Sequence, residues 1–177
     1  KSRLNDDIYV TGNLGDSFVG LQILSGKIKV NNKISKYFIK KYYEPDLQLK
    51  FINNLLKLAN TSIDISDGLI DDLKKMINRQ SVSFHIFEKN IPISNTLSQL
   101  IEIKKLRKID ITSRGDDYQI LFTANPIKSR IIKRISNDTG IKITKIGKII
   151  SGKNKSKIIN IKNKQIEAKN KGYIHQF

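Results

Sequence analysis

Residues 61–73 read TSIDISDGLIDDL, and this stretch decides much of the fold. Apolar residues alternate with polar ones as far as Ile65, which is typical of a short strand. Gly68 then predicts a turn, and the apolar residues beyond it recur at helical spacing. The buried face of that helix is expected to comprise Leu69, Leu73, Met76 and Ile77. The stretch therefore predicts a strand, a loop and a helix in immediate succession.

Further strands are predicted on both sides of this unit. They cover residues 8–10, 81–87, 118–124, 141–145 and 158–161, and the last is expected to return after a turn at Ser151-Gly152, so that the ending is hairpin-like. The strands and helices do not alternate strictly, so the sequence favours an α+β fold in which helices cover a mixed β-sheet. The length of 177 residues suits a single domain over residues 1–177.

Four more helices are predicted from apolar spacing and from residues typical of helix ends. One begins near Ser17, and its inner face is expected to comprise Phe18, Leu21 and Leu24. Another begins at Pro45-Asp46, and its inner face is expected to comprise Leu47, Phe51, Leu55, Leu58 and Ala59. The remaining two cover residues 94–105, with Ser94 as the cap, and residues 126–140.

The chain is strongly basic, with 33 Lys and Arg against 16 Asp and Glu and a formal net charge of +17. A basic surface favours nucleic-acid binding, but the lysines are spread over every segment, so no nucleic-acid site is expected. The absence of cysteine excludes disulfides and thiolate metal sites. No apolar run reaches the roughly 18 to 20 residues that a membrane span requires. A cytoplasmic protein without membrane contact is expected.

Four acidic residues fall within residues 64–72. Because side chains alternate along a strand, Asp64 and Ser66 are expected on one side, with Asp67 beside the N-terminus of the following helix. Carboxylate oxygens are ligands that Mg²⁺ prefers, and Gly68 would let a phosphate approach the backbone closely. The pattern therefore favours a metal and phosphate site at this junction.

Helix capping is the alternative explanation of the same residues. Ser66 or Asp67 would then be the N-cap, and Asp71 and Asp72 would oppose the positive end of the helix dipole. Capping accounts for Asp71 and Asp72 but not for Asp64, which precedes the helix among apolar residues. An unpaired carboxylate buried there would be costly, so Asp64 is the residue that favours a metal.

Two other polar segments are candidates. Residues 113–119 read SRGDDYQ and lead into a predicted strand, where a loop often carries function. An ordinary turn, with Gly115 at positive φ and Asp116 or Asp117 bonded to nearby amides, is equally compatible. Residues 171–177 read KGYIHQF, an aromatic end that is either docked or idle. His85 lies in a predicted strand without a partner for base catalysis, so a structural role is expected.

Taken in order, these segments resemble the thiamine-monophosphate kinase family. The resemblance rests on IYVTG at residues 8–12, LGDS at 14–17, IDISDGL at 63–69, GDDY at 115–118 and KGY at 171–173. It implies the aminoimidazole-ribonucleotide synthetase-like fold, of which this chain resembles only the C-terminal domain. The family's N-terminal domain, which provides further metal-binding aspartates and the homodimer interface, is then expected upstream of Lys1.

For function, the resemblance implies direct transfer of the γ-phosphoryl group of ATP to thiamine monophosphate, with Mg²⁺ between the two domains and no protein nucleophile. By motif, Asp64 and Asp67 would ligate Mg²⁺ and Ser66 would contact ATP. Asp116 and Tyr173 would face thiamine monophosphate. Family members usually have Glu where Asp116 stands, so the reach of this side chain is one methylene shorter.

Two other interpretations are compatible with the sequence. One is a sibling ATP-dependent enzyme of the same superfamily, although such enzymes need nucleophile or tail signatures of their own and no cysteine is present. The other is a non-catalytic basic fragment, either a binding module that binds RNA in a salt-dependent manner or a decayed fragment whose active site no longer works. Under the kinase interpretation, the chain alone is expected to bind ATP poorly, because half of the site would be missing.

Overall fold

A computed structural model describes residues 1–168 of the chain. Within these residues, seven strands form one sheet. The strands are β1 (Asp7–Thr11), β2 (Thr61–Asp64), β3 (Val82–Phe87), β4 (Ile120–Ala124), β5 (Ile143–Ser151), β6 (Lys157–Ile159) and β7 (Gln165–Ile166). The helices are α1 (Asp16–Leu24), α2 (Asn32–Tyr43), α3 (Ile52–Leu58), α4 (Leu69–Met76), α5 (Asn95–Lys104), α6 (Lys108–Thr112) and α7 (Ser129–Thr139). In the part that the structure describes, none of the helices has the length and apolar character needed to cross a membrane.

The sheet order is β2-β4-β1-β5-β3-β6-β7, and every pair is antiparallel except β3 with β6. This mixed sheet with covering helices confirms the expected α+β class. The hairpin-like ending is wrong, because β6 pairs in parallel with β3 instead of returning along β5. Both edges of β5 are already occupied, by β1 and β3, so β6 cannot pair with β5 and instead extends the sheet at the free edge of β3.

Side chains on the two faces of the sheet enter separate cores. Ile8 and Val10 of β1 face one core together with Leu69 and Leu73 of α4, whereas Tyr9 faces the other. The Tyr9 ring stacks on Phe122 of β4 with centroids 5.3 Å apart. All five residues of β1 are buried, as expected for an interior strand covered on both faces. Each face of the sheet is therefore covered by a core, and α4 belongs to one of these two cores.

The predicted inner face of α1 is correct at Phe18, which packs partly buried against a core with Phe38 and Leu97, but it is wrong at Leu24. Val19 and Gly20 are buried, whereas Leu24 is 43% exposed. A Cβ at Gly20 would overlap the Phe38 carbonyl oxygen. The face of α1 that carries Gly20 therefore packs closely against α2. Helix α2 was not predicted, although Asn31 caps it by accepting a hydrogen bond from the Ile34 amide at 3.0 Å.

Prediction of the other helices was more accurate. α3 begins at Ile52, after a 3₁₀ turn, so a helix start at Pro45-Asp46 is wrong and Leu47 is 58% exposed. The four predicted residues of the α4 face are buried, namely Leu69, Leu73, Met76 and Ile77. Ser94 caps α5 by accepting a hydrogen bond from the Leu97 amide at 3.0 Å, as expected. α7 ends at Gly140, which takes a left-handed conformation, also as expected.

Candidate functional site

Two loops lie side by side at the end of the sheet where β2 ends and β4 begins. Residues 65–68 follow β2, and residues 113–119 precede β4. Backbone hydrogen bonds join them, from the Asp116 amide to the Ser66 carbonyl at 3.0 Å and from the Tyr118 amide to the Ile65 carbonyl at 2.9 Å. The two motifs that are separated in sequence are therefore one structural unit, which we call the paired loops.

Glycines allow the paired loops to approach so closely. A Cβ at Gly68 would overlap the Ser113 carbonyl, and a Cβ at Gly115 would overlap the Ser66 carbonyl. The backbone beside Gly68 is thus occupied by the neighbouring loop, and the expectation that it leaves room for a phosphate is wrong. The prediction of positive φ at Gly115 is also wrong, because Asp116 (φ 69°) and Tyr118 (φ 50°) take that conformation instead.

Asp72 holds the first of the paired loops from inside. Its Oδ2 accepts hydrogen bonds from three consecutive backbone amides, those of Ser66 at 3.0 Å, Asp67 at 2.9 Å and Gly68 at 3.1 Å. The Asp72 residue is only 1% exposed. Neither Ser66 nor Asp67 caps α4, so that part of the capping explanation is wrong. Asp72 does more than oppose the helix dipole, since it bonds the loop that precedes its own helix.

Lys75 links this buried carboxylate to the surface. Its Nζ contacts Asp72 Oδ1 at 2.9 Å and also contacts Asp67 Oδ2. These bonds, first that with Asp67 and then that with Asp72, raise the pKa of Lys75. The lysine is therefore a fixed positive charge between the two aspartates.

The predicted metal and substrate residues have different environments. Asp64 is exposed at the end of β2, so the argument from a costly buried carboxylate is wrong. β2 is an edge strand that directs Ile63 toward the core and leaves Asp64 outside. Ser66, Asp67 and Asp116 are partly buried in the paired loops. Burial, and then the charge of Asp67, raises the pKa of Asp116. Tyr173 lies outside the described residues.

These residues fit a divalent cation as part of a ligand set. Oxygen donors of the kind that Mg²⁺ prefers are present on Asp64, Asp67 and Asp116. Within residues 1–168, however, no group of three or more His, Asp or Glu is arranged to hold a metal ion. Mg²⁺ commonly uses only one or two protein carboxylates and fills its remaining positions with water and phosphate oxygens. The donors therefore suit an ion that is also held from elsewhere.

A second polar cluster beside the paired loops was missed at the sequence level. Asp117 is buried, and its Oδ2 accepts a hydrogen bond from the Gly15 amide, at the start of α1, at 2.8 Å. Next to Gly15, buried Asp16 accepts hydrogen bonds from the Tyr37 hydroxyl at 2.8 Å and from the Ser94 hydroxyl at 2.7 Å. The expectation that Asp117 bonds nearby amides is wrong, since its partner lies 102 positions away. This cluster fastens the second loop to α1.

Buried Gln119 completes the attachment of the second loop. Its Oε1 accepts a hydrogen bond from the Thr11 hydroxyl at 2.9 Å, and its Nε2 donates to the Asp46 carbonyl at 2.9 Å. A Cβ at Gly12 would overlap the Gln119 side chain, so the glycine makes room for it. Polar residues that lead into a strand, as in residues 113–119, are the only sequence signal that could have indicated this attachment.

Asp117 predicts a specific pH dependence of stability. Burial raises its pKa well above the ordinary value of 3.8, although the Gly15 amide opposes the shift. The folded state therefore favours the protonated form of Asp117. This preference contributes fully to stability below the unfolded pKa of about 4, and the contribution is lost as pH rises through the folded pKa. Relative to the wild type, Asp117→Asn should become more stable with rising pH, by up to about 1.4 kcal/mol per pH unit while the carboxyl titrates.

Urea unfolding of both proteins from about pH 4 to about pH 8 measures this difference. Asp138→Asn, which removes the same charge from an exposed position on α7, is the matched control and should follow the wild-type profile. Parallel profiles for Asp117→Asn and the wild type would contradict the prediction.

Comparison with known proteins places this geometry in a family. No profile of a known protein family matches the chain. The thiamine-monophosphate kinase of Buchnera aphidicola subsp. Schizaphis graminum is 36% identical over 178 residues, covering 98% of this chain and 54% of that protein. The thiamine-monophosphate kinase of Escherichia coli (strain K12) is 33% identical over 149 residues, covering 84% of this chain and 46% of that protein. The chain spans about half the length of the curated relatives it matches.

Solved structures agree with the sequence matches. The structure described as AaThiL complexed with AMPPCP and TMP has a TM-score of 0.78 and 28% identity, over 99% of this chain and 52% of that chain. Thiamine-monophosphate kinase from Stenotrophomonas maltophilia K279a has a TM-score of 0.77 and 25% identity, over 89% and 51% of the two chains. Escherichia coli HypE, with a TM-score of 0.71 and 13% identity over 94% and 50%, shares the fold alone. These likenesses confirm the expected fold.

Proposed function

We propose that this chain, which belongs to the thiamine-monophosphate kinase family and spans about half of its relatives' length, forms one side of an active site that transfers the γ-phosphoryl group of ATP to thiamine monophosphate. The observation that carries the proposal is the backbone pairing of the two loops, which brings Asp67 close enough for its charge to raise the pKa of Asp116, after the larger effect of burial. In the sequence these residues belong to separate motifs. The fold places both motifs at one end of the sheet.

The proposed site residues have different roles. Asp64 and Asp67 would hold Mg²⁺, since the Asp64 side chain is exposed at the end of β2 and the Asp67 side chain is partly exposed in the loop that follows. When bound, Mg²⁺ supplies positive charge that neutralises and aligns the phosphates. The Ser66 hydroxyl would contact ATP, and Asp116, with Tyr173, would face thiamine monophosphate. Phosphoryl transfer of this kind depends on alignment and charge neutralisation, so no protein nucleophile is required.

The proposal includes a partner for the missing half of the site. The carboxylates of residues 1–168 suffice for only part of a metal-ligand set, and the chain spans about half the length of its relatives. We therefore assign residues 1–177 to a C-terminal domain that works with an N-terminal domain, in a cytoplasmic homodimeric enzyme. That other domain would contribute further carboxylates and most nucleotide contacts.

The test is phosphoryl transfer by a complete assembly. The chain is joined to the N-terminal half of the Buchnera aphidicola subsp. Schizaphis graminum kinase at the aligned position, and thiamine diphosphate is measured with ATP, Mg²⁺ and thiamine monophosphate. The fusion should form thiamine diphosphate, whereas the chain alone and the isolated N-terminal half should not. A correctly folded fusion that hydrolyses ATP without phosphorylating thiamine monophosphate would contradict the proposed substrate.

A further inference from the structure

We propose that Asp72 is a positioning residue that builds the cation-binding loop by filling it with an internal negative charge. The proposal rests on the proposed function for the identity of the loop. It rests on the structure alone for the geometry of Asp72.

The first argument is the arrangement of the backbone amides. Three successive N–H groups converging on one point form the type of concavity that commonly binds an external anion such as phosphate. Here the point is occupied by Asp72 Oδ2, at 2.9 to 3.1 Å from the three amide nitrogens. A phosphate therefore does not have access to these amides. The loop would then bind phosphate only through a cation, held by the Asp64 and Asp67 carboxylates.

The second argument is the path of the chain on both sides of the loop. The Ser66 carbonyl, on the far side of the same peptide segment, accepts the Asp116 amide at 3.0 Å. The Ser66 backbone is thus held by Asp72 through its N–H and by the second loop through its C=O. Loss of the Asp72 charge would release one side of this arrangement and with it the orientation of Asp67.

The third argument is the role of Lys75. A carboxylate as buried as Asp72 needs compensation, and it receives three amide bonds through Oδ2 and one ammonium contact through Oδ1. Because the same ammonium contacts Asp67, the position of the surface carboxylate depends on the position of the buried one. Asp72 therefore acts on the cation through Asp67 and does not need to touch it.

The test compares Asp72→Asn with Asp71→Asn in the full 177-residue chain. Both substitutions remove one charge from the first turns of α4, but Asp71 pairs with Lys74 at the surface and makes none of the three amide bonds. In Asp72→Asn the new side chain would be neutral, and its NH₂ group would face Lys75 Nζ. Hydrogen exchange of the amides of residues 66–68 should accelerate at least about tenfold in Asp72→Asn, since hydrogen bonds to charged groups are the stronger class.

The second readout is binding of Mn²⁺, followed by paramagnetic broadening of the Asp67 amide signal. In Asp72→Asn the Mn²⁺ concentration for half-maximal broadening should rise on the order of tenfold, as expected for the loss of one ordering interaction. Asp71→Asn should match the wild type in both measurements. The Leu97 amide, which Ser94 holds, should keep its exchange rate in every protein and so reports that the fold is intact.

Several results would overturn the inference. Equal effects of Asp72→Asn and Asp71→Asn would reject a special role for Asp72, as would an unchanged Mn²⁺ response in a folded Asp72→Asn protein. If Asp72→Asn does not fold, hydrogen exchange in the wild type provides the test. Exchange of all three amides of residues 66–68 without protection would reject the role of Asp72. Absence of Mn²⁺ broadening at Asp67 in both the wild-type chain and its fusion to the N-terminal half, with protected loop amides, would instead reject the cation site, and with it the proposed function.

Discussion

Asp67→Asn is expected to lower the turnover of thiamine monophosphate phosphorylation by at least about 100-fold in the complete kinase assembly. The proposed role of this carboxylate is to hold Mg²⁺, and loss of a charge that stabilises the transferring phosphoryl group typically costs two to three orders of magnitude. Asp64→Asn should act in the same direction. The measurement is the initial rate of thiamine diphosphate formation at saturating ATP, with Mg²⁺ varied over a wide range.

The structure also predicts that the fold survives this change. Asp67 is partly exposed, and its ion pair with Lys75 lies at the surface, where such pairs contribute roughly 0 to 1 kcal/mol. The free energy of unfolding should therefore change by less than about 1 kcal/mol. Asp71→Asn, three residues before Lys74, is the control for the loss of one charge nearby and should keep near-normal turnover. Near-normal turnover by both Asp64→Asn and Asp67→Asn would contradict the assignment.

Local patterns in the sequence were sufficient to predict the strand, loop and helix of residues 61–77 and the α+β class. These features depend on apolar periodicity and on end residues such as Ser94 and Gly140, which act within a few positions along the chain. The position of β6 could not be predicted in the same way. Its pairing with β3 depends on which strand edge is still free, and that is a property of the assembled sheet.

In the candidate site as well, the sequence indicated candidate residues but not their burial. The motifs made Asp64, Asp67 and Asp116 candidates, but the apolar neighbours of Asp64 led to the wrong burial for that residue. Solvent exposure at that position depends on β2 being an edge strand, and no residue within the motif determines this.

The supporting residues Asp72 and Asp117 were undervalued for a related reason. Each carboxylate accepts hydrogen bonds from backbone amides, which every residue except proline has, so the sequence does not indicate these partners. The signal that was available is the glycine in each loop, since Gly68 and Gly115 indicate that another backbone comes close.

Gly115→Ala tests that close approach and should lower the free energy of unfolding by about 3 kcal/mol or more. The added methyl group would overlap the Ser66 carbonyl oxygen, and this backbone atom cannot move aside easily. Ser66 is held through its amide by Asp72 and through its carbonyl by the Asp116 amide. The paired loops must therefore separate, which breaks hydrogen bonds on both sides. Urea unfolding gives the free energy, and exchange of the amides of residues 66–68 shows where the structure opens.

Gly26→Ala separates this steric effect from the conformational preference of glycine. Gly26 has φ +72°, and a Cβ there would meet nothing within 4 Å, so the substitution carries only the left-handed penalty of roughly 1 to 2 kcal/mol. Gly115 lies outside the positive-φ region, so its cost should come from the overlap with Ser66. A loss at Gly115 no larger than that at Gly26, with protected loop amides, would mean that the paired loops can separate at little cost. The pairing of the two loops is what brings Asp67 close to Asp116. Such a result would therefore also remove the main structural support for a joint role of the two residues.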